Sequence, residues 1–194
     1  MKTPMISLNK ELVIDSRIPE AFWALGVDTY FGDKEALRKV TTYVKNVEQA
    51  LSMCVGLRLQ GPTGTLKTFL LTLILRSLMA KGYSACYASY HEFASLRPET
   101  EESPIWANRG VQFFAIDNVT IGEAGNARWV RDFLRSRKDA GWPTLFATEL
   151  SDEQLGLIYP EMAPMILDKT AAVATKVNAF RRQQRNEKQQ KTVC

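Results

Sequence analysis

Apolar residues in this chain gather in short unbroken runs separated by longer stretches of mixed character. CVGLRLQG (54–61), YSACYASY (83–90), VQFFAIDN (111–118) and WPTLFATE (142–149) each read as a strand buried on both faces. The stretches between them follow helical spacing. Asp33 can cap a helix over 34–52 that places Leu37, Val40, Val44 and Val47 on one side. A strongly apolar helix is expected over 68–81, closed by Gly82. Shorter helices are expected over 91–96, 126–140 and the SDEQLGLIY segment, and helix again over 162–190 with a polar, basic end. Strands alternating with helices, each strand continuously apolar, predict a parallel sheet covered on both sides: a three-layer α/β sandwich.

Composition narrows the chemistry more than the architecture. At 194 residues the chain is long enough for one domain with a sizeable core. Its longest apolar run, 69–75, is interrupted by Thr72 and is far too short to span a bilayer. The first eleven residues are polar and mixed rather than signal-like, so a cytoplasmic location is expected. Cys54, Cys86 and Cys194 form no C-x-x-C pair, and His91 is the only histidine, so a zinc site has almost no ligands. No G-x-S-x-G elbow accompanies His91, which sets hydrolase triads aside. The net charge of +4 is a property of the end of the chain. From Lys176 onward six basic residues face one acid, a balance of +5, leaving about −1 for everything before.

The chemistry-bearing stretch is GPTGTLKT: Gly61, Pro62, Thr63, Gly64, Thr65, Leu66, Lys67 and Thr68. It follows an apolar strand and opens a helix, the setting of a phosphate-binding loop, in which backbone N–H groups and a helix N-terminus converge on phosphate. In the pattern G-x-x-x-x-G-K-[ST] the residue before lysine is glycine; here it is Leu66. Lys67 is placed for phosphate and Thr68 for Mg²⁺, with the preceding residues as the cradle. About 50 residues on, FFAIDN is four apolar residues ending in Asp117, the form of a Walker B strand whose carboxylate supports Mg²⁺.

With RIPEAFW, GPTGTLKT, FFAIDNV and RSRKDAGWPTLFATELS in this order, residues 17–161 resemble the AAA+ ATPases of the DnaC/IstB type, the helicase loaders and transposition helpers. The resemblance implies an AAA+ P-loop core over 17–161 with a central parallel sheet and no separate lid domain. It would be preceded by an arm (1–16) and followed by a helical basic tail (162–194). It also implies ATP or ADP with Mg²⁺, assembly into a homo-oligomer, contact with single-stranded or duplex DNA, and a replicative helicase or transposase as partner. Catalytic positions carried over are Asp117, Asn118 and Thr148, with Arg137, Pro143 and Thr144 also in matching places.

Several of those positions depart from the family. Asn118 stands where a second acid polarises water, and an amide cannot take up its proton. Glu149 stands where the sensor strand offers asparagine. The stretch IYPEMAPMI holds no arginine where an inter-subunit arginine is expected, leaving Arg128, Arg131, Arg135 or Arg137 as substitutes. Whether ATP is hydrolysed therefore stays open, with an inactive adaptor of the same fold as the alternative. Arg128, Arg131 and Arg135 on one helix, and Arg181, Arg182 and Arg185 in the tail, are candidate DNA contacts; a solvated basic surface is the other reading. A small-molecule kinase on the same fold lacks a recognisable substrate lid.

Overall fold

In the computed structural model, residues 15–95, 108–120 and 127–177 are described. Five strands form one sheet: β1 (Gly56–Gln60), β2 (Ala85–Ser89), β3 (Phe113–Val119), β4 (Thr144–Thr148) and β5 (Thr170–Ala174). Their order across the sheet is β2-β3-β4-β1-β5, and every pairing is parallel. The connecting helices are α1 (Lys34–Lys45), α2 (Val47–Ser52), α3 (Lys67–Met79), α4 (Tyr90–Ser95), α5 (Ala127–Asp139), α6 (Asp152–Ile158) and α7 (Ala163–Leu167).

Strand alternation divides the core between two faces. Leu57, Leu59, Ala115, Leu145 and Ala147 meet Ala36 and Val40 of α1 and Leu70, Leu71 and Ile74 of α3. Phe114, Ile116 and Phe146 meet Phe93 of α4, Val130 and Phe133 of α5, and Leu155 of α6. Both faces of β1, β3 and β4 are covered, which is why these strands read as continuous apolar runs rather than alternating ones. The three-layer α/β sandwich expected from the sequence is the observed fold.

Asp33 caps α1 as expected, its Oδ1 accepting from the N–H groups of Glu35 (2.9 Å) and Ala36 (3.3 Å). The helix expected over 34–52 is broken at Asn46, whose φ and ψ of −100° and 29° end α1 and begin α2. The break lets the chain turn back under Tyr43, whose hydroxyl donates to the Val55 carbonyl (2.9 Å) on the way into β1.

The larger correction concerns the end of the chain. Helix was expected through 162–190, but residues 170–174 form β5 on the outer side of β1. The strand is seated by Gly56 N–H donating to the Lys169 carbonyl (2.8 Å) and Thr175 N–H donating to the Gln60 carbonyl (2.7 Å). TAAVA has mixed propensity; the backbone groups of β1 left unpaired on that side decide its state. Residues 1–14 of the arm, residues 96–107, and the tail with Arg181, Arg182 and Arg185 lie outside the described residues.

Candidate functional site: the loop Gly61–Thr68

β1 delivers the chain to the loop and α3 leaves it. Leu66 is the residue before the helix, with φ 64° and ψ 33°. The loop thus takes, at the position where the motif has glycine, the left-handed conformation that glycine adopts freely. A leucine there costs about 1–2 kcal/mol. Gly64 is also left-handed, at φ 82°. Gly61 answers a different constraint: a Cβ there would lie 2.3 Å from the Thr175 carbonyl oxygen, because the end of β5 runs directly against the loop.

Thr175 is a strut the sequence did not reveal. Its hydroxyl lies 2.7 Å from that of Thr65, which in turn donates to the Pro62 carbonyl (2.9 Å). Thr65 and Thr175 are both buried, so the loop is braced from below. With β5 unforeseen, no sequence signal pointed to it.

Lys67 is 8% exposed and folds back over the loop, its Nζ donating to the carbonyls of Gly61 (2.6 Å) and Pro62 (2.9 Å). Burial pulls the pKa of its ammonium below the usual lysine value, while the charges of Glu149 and Asp117 oppose that pull. No side chain caps α3, so its first turn presents backbone donors suited to an anion.

β4 lies between β1 and β3, yet Asp117 at the end of β3 reaches the foot of α3. Its Oδ2 accepts from Thr68 Oγ1 (2.7 Å) and from the Tyr87 hydroxyl (2.8 Å), and its Oδ1 accepts from Asn118 N–H (2.9 Å). Desolvation and the neighbouring Asp117 charge raise the pKa of the Tyr87 phenol far above the ordinary tyrosine range. The need of a buried tyrosine hydroxyl for a partner was the available clue to this contact. Lys67, Thr68 and Asp117 are therefore brought together, and an Mg²⁺-nucleotide fits this donor set. Among the described residues, no group of three or more His, Cys, Asp or Glu could hold a metal on its own.

The other expected positions are placed differently. Asn118 sits in a β-bulge at φ 59°, exposed beyond the carboxylate it follows. Asparagine is among the few non-glycine residues that tolerate this conformation. Thr148 is buried and committed: its hydroxyl donates to the Val119 carbonyl (2.7 Å) and accepts from Leu150 N–H (3.0 Å). Glu149 turns to the loop instead and accepts a hydrogen bond from the Thr63 hydroxyl.

The basic residues of α5 also separate. Arg137 is 1% exposed and spends its guanidinium on the carbonyls of Arg109, Val111, Gln112 and Pro143 and the hydroxyl of Thr144, at 2.9–3.2 Å. It cannot serve as an inter-subunit arginine. Arg131 pairs with Asp132 (3.0 Å) and Glu161 (2.6 Å), while Arg135 is exposed. Arg128 lies in α5, but its side chain is outside the description. No helix among the described residues is long and apolar enough to cross a membrane.

The sequence matches no protein-family model, and no curated protein matches it. Solved structures do match. A DnaC helicase loader aligns with TM-score 0.71 at 16% identity, covering 81% of this chain and 100% of that one. DnaI aligns with TM-score 0.68 at 19% identity, covering 82% and 95%. The replication initiator DnaA bound to AMPPCP and single-stranded DNA aligns with TM-score 0.66 at 15% identity, covering 84% of this chain and 52% of that one. At these identities the likeness is one of fold. The chain shares its fold with DnaI and the DnaC helicase loader.

Proposed function

We propose that this protein is an ATPase-type, nucleotide-binding protein of the helicase-loader or transposition-helper kind. It would take ATP or ADP with Mg²⁺ at Gly61–Thr68, bind DNA, assemble with copies of itself in the cytoplasm, and deliver a replicative helicase or transposase to DNA. The observation that carries the reading is the Thr68–Asp117 hydrogen bond, which joins the two groups such a site needs for Mg²⁺. Lys67 would balance phosphate charge beside the uncapped start of α3. Bound Mg²⁺ would neutralise phosphate oxygens, and this chain's residues would orient them. Arg135 and the tail arginines Arg181, Arg182 and Arg185, with Arg128 and Arg131, are the proposed DNA contacts. The core would run from 17 through β5 at 170–174, with the arm before it and the basic tail beyond.

A second reading, an adaptor without hydrolysis, is favoured by specific observations. Asn118 offers no base, Thr148 is spent on backbone groups, and Arg137 is sealed in the core. Equilibrium binding of fluorescent ATP and ADP analogues with Mg²⁺, to wild type and Lys67→Ala, tests the first reading. Micromolar binding lost in Lys67→Ala supports it, and absence of binding refutes it. Steady-state phosphate release on the same samples separates the two.

A further inference from the structure

Glu149 is the one expected sensor position whose side chain the structure turns toward the phosphate loop. It follows β4, which lies between the loop strand β1 and the Asp117 strand β3. A third phosphate held near Lys67, Thr68 and Asp117 would face the carboxyl ends of β3 and β4, and Glu149 stands at that edge. Its exposed carboxylate accepts from the hydroxyl of Thr63, a loop residue, which links the end of β4 to the loop. The cleft beside it, about 530 Å³, is walled by Gly61 and Pro62 of the loop and by Glu149 and Asp152, and among the described residues no lysine or arginine lines it. Asp152 is already neutralised by Arg58, whose Nη2 lies 2.9 and 3.0 Å from its two carboxylate oxygens. Glu149 therefore supplies the net negative charge on this side of the loop.

Resting on the nucleotide-binding reading above, we propose that Glu149 makes this a site for a nucleoside diphosphate and turns a triphosphate away. A diphosphate would be held by the backbone donors of the loop and the start of α3, with Lys67 balancing its charge. A third phosphate would bring further negative charge against a carboxylate hydrogen-bonded to Thr63, and like charges brought together in a protein cleft weaken binding strongly. The charge of Glu149 also reaches Lys67, where it opposes the downward pull of burial on the ammonium's pKa.

The test is titration of the full-length protein with Mg²⁺-ADP and with a non-hydrolysable Mg²⁺-ATP analogue, for wild type, Glu149→Gln and Glu149→Asp. Glu149 is exposed, so neither substitution threatens folding. Glutamine keeps an acceptor for Thr63 and removes the charge; aspartate keeps the charge. The expected result is a wild type that prefers ADP. Glutamine should raise affinity for the triphosphate analogue roughly tenfold, leave ADP within about twofold, and abolish most of the preference; aspartate should retain it. Equal wild-type affinity for both ligands, or an equal shift of both in Glu149→Gln, overturns the proposal while leaving nucleotide binding intact. Binding of neither ligand by any of the three proteins overturns the nucleotide reading and this proposal with it.

Discussion

Thr68 donates its hydroxyl hydrogen bond to Asp117 Oδ2 at 2.7 Å, joining the first turn of α3 to the end of a strand two places away in the sheet. Tyr87 approaches the same oxygen at 2.8 Å from β2, so one carboxylate ties three elements together. If this group serves Mg²⁺, Asp117→Asn and Thr68→Val should weaken nucleotide binding on the order of tenfold or more in Mg²⁺. The same variants should change binding little in excess EDTA. Titrations in the two conditions check this, and equal loss in both would identify a purely structural contact.

Leu66 tests whether the loop's shape or its chemistry was altered by losing a glycine. Its left-handed φ of 64° is strained for leucine, although the side chain is half-buried. Leu66→Gly removes the strain, about 1–2 kcal/mol, and forfeits a similar amount of burial and backbone entropy. Its urea midpoint should therefore stay close to wild type. Leu66→Val keeps the strain and adds a β-branch in the left-handed region, and should lose roughly 1 kcal/mol or more. Denaturation curves for the two variants should rank glycine above valine.

What the sequence disclosed depended on whether a signal was local. The strands, the loop, Lys67, Thr68 and Asp117 were legible because the apolar runs are continuous, and those into Gly61 and Asp117 carry their own punctuation. β5 was not. TAAVA has no distinguishing pattern, and only the open edge of β1 makes it a strand. Thr175 was invisible for the same reason, although it braces Thr65. Thr148 and Glu149 were placed in the right neighbourhood with their orientations undetermined, because one residue along a strand switches the face it serves. Arg137 lay in a basic helix pattern. Its burial is set by carbonyls from the segment before β3 and from the turn before β4, which the helix sequence cannot foretell.

Arg137 is the strongest case for a structural arginine. Five acceptors surround it, and its guanidinium lies 5.4 Å from the centroid of Phe114 and 5.9 Å from those of Phe133 and Trp142. Burial lowers its pKa to about 10. Arg137→Ala should cost about 3 kcal/mol or more by leaving these acceptors unpaired beside a cavity. Arg137→Lys should recover little of that, because an ammonium cannot reproduce the planar fork. Chemical denaturation measures both, and a lysine variant as stable as wild type would refute the account.

The alkaline limb of stability should carry the mark of Cys86. Burial pushes its thiol from the usual 9.0 up to about 12, and the side chain is fully enclosed between β2 and the second core face. A raised acid pKa means that the unfolded chain loses its proton first. The contribution is therefore complete below pH 9.0, declines as pH rises, and is gone above the folded value. Tyr43 and Tyr87, also raised by burial, act in the same direction at higher pH. Urea midpoints should accordingly fall from pH 9 upward, and Cys86→Ala should fall less steeply across the lower part of that range. At neutral pH the half-exposed Cys54 should react with a thiol reagent well before Cys86, whose modification should follow the unfolding equilibrium. Modification of Cys86 in the folded protein as fast as Cys54 would contradict the enclosure from which both expectations derive.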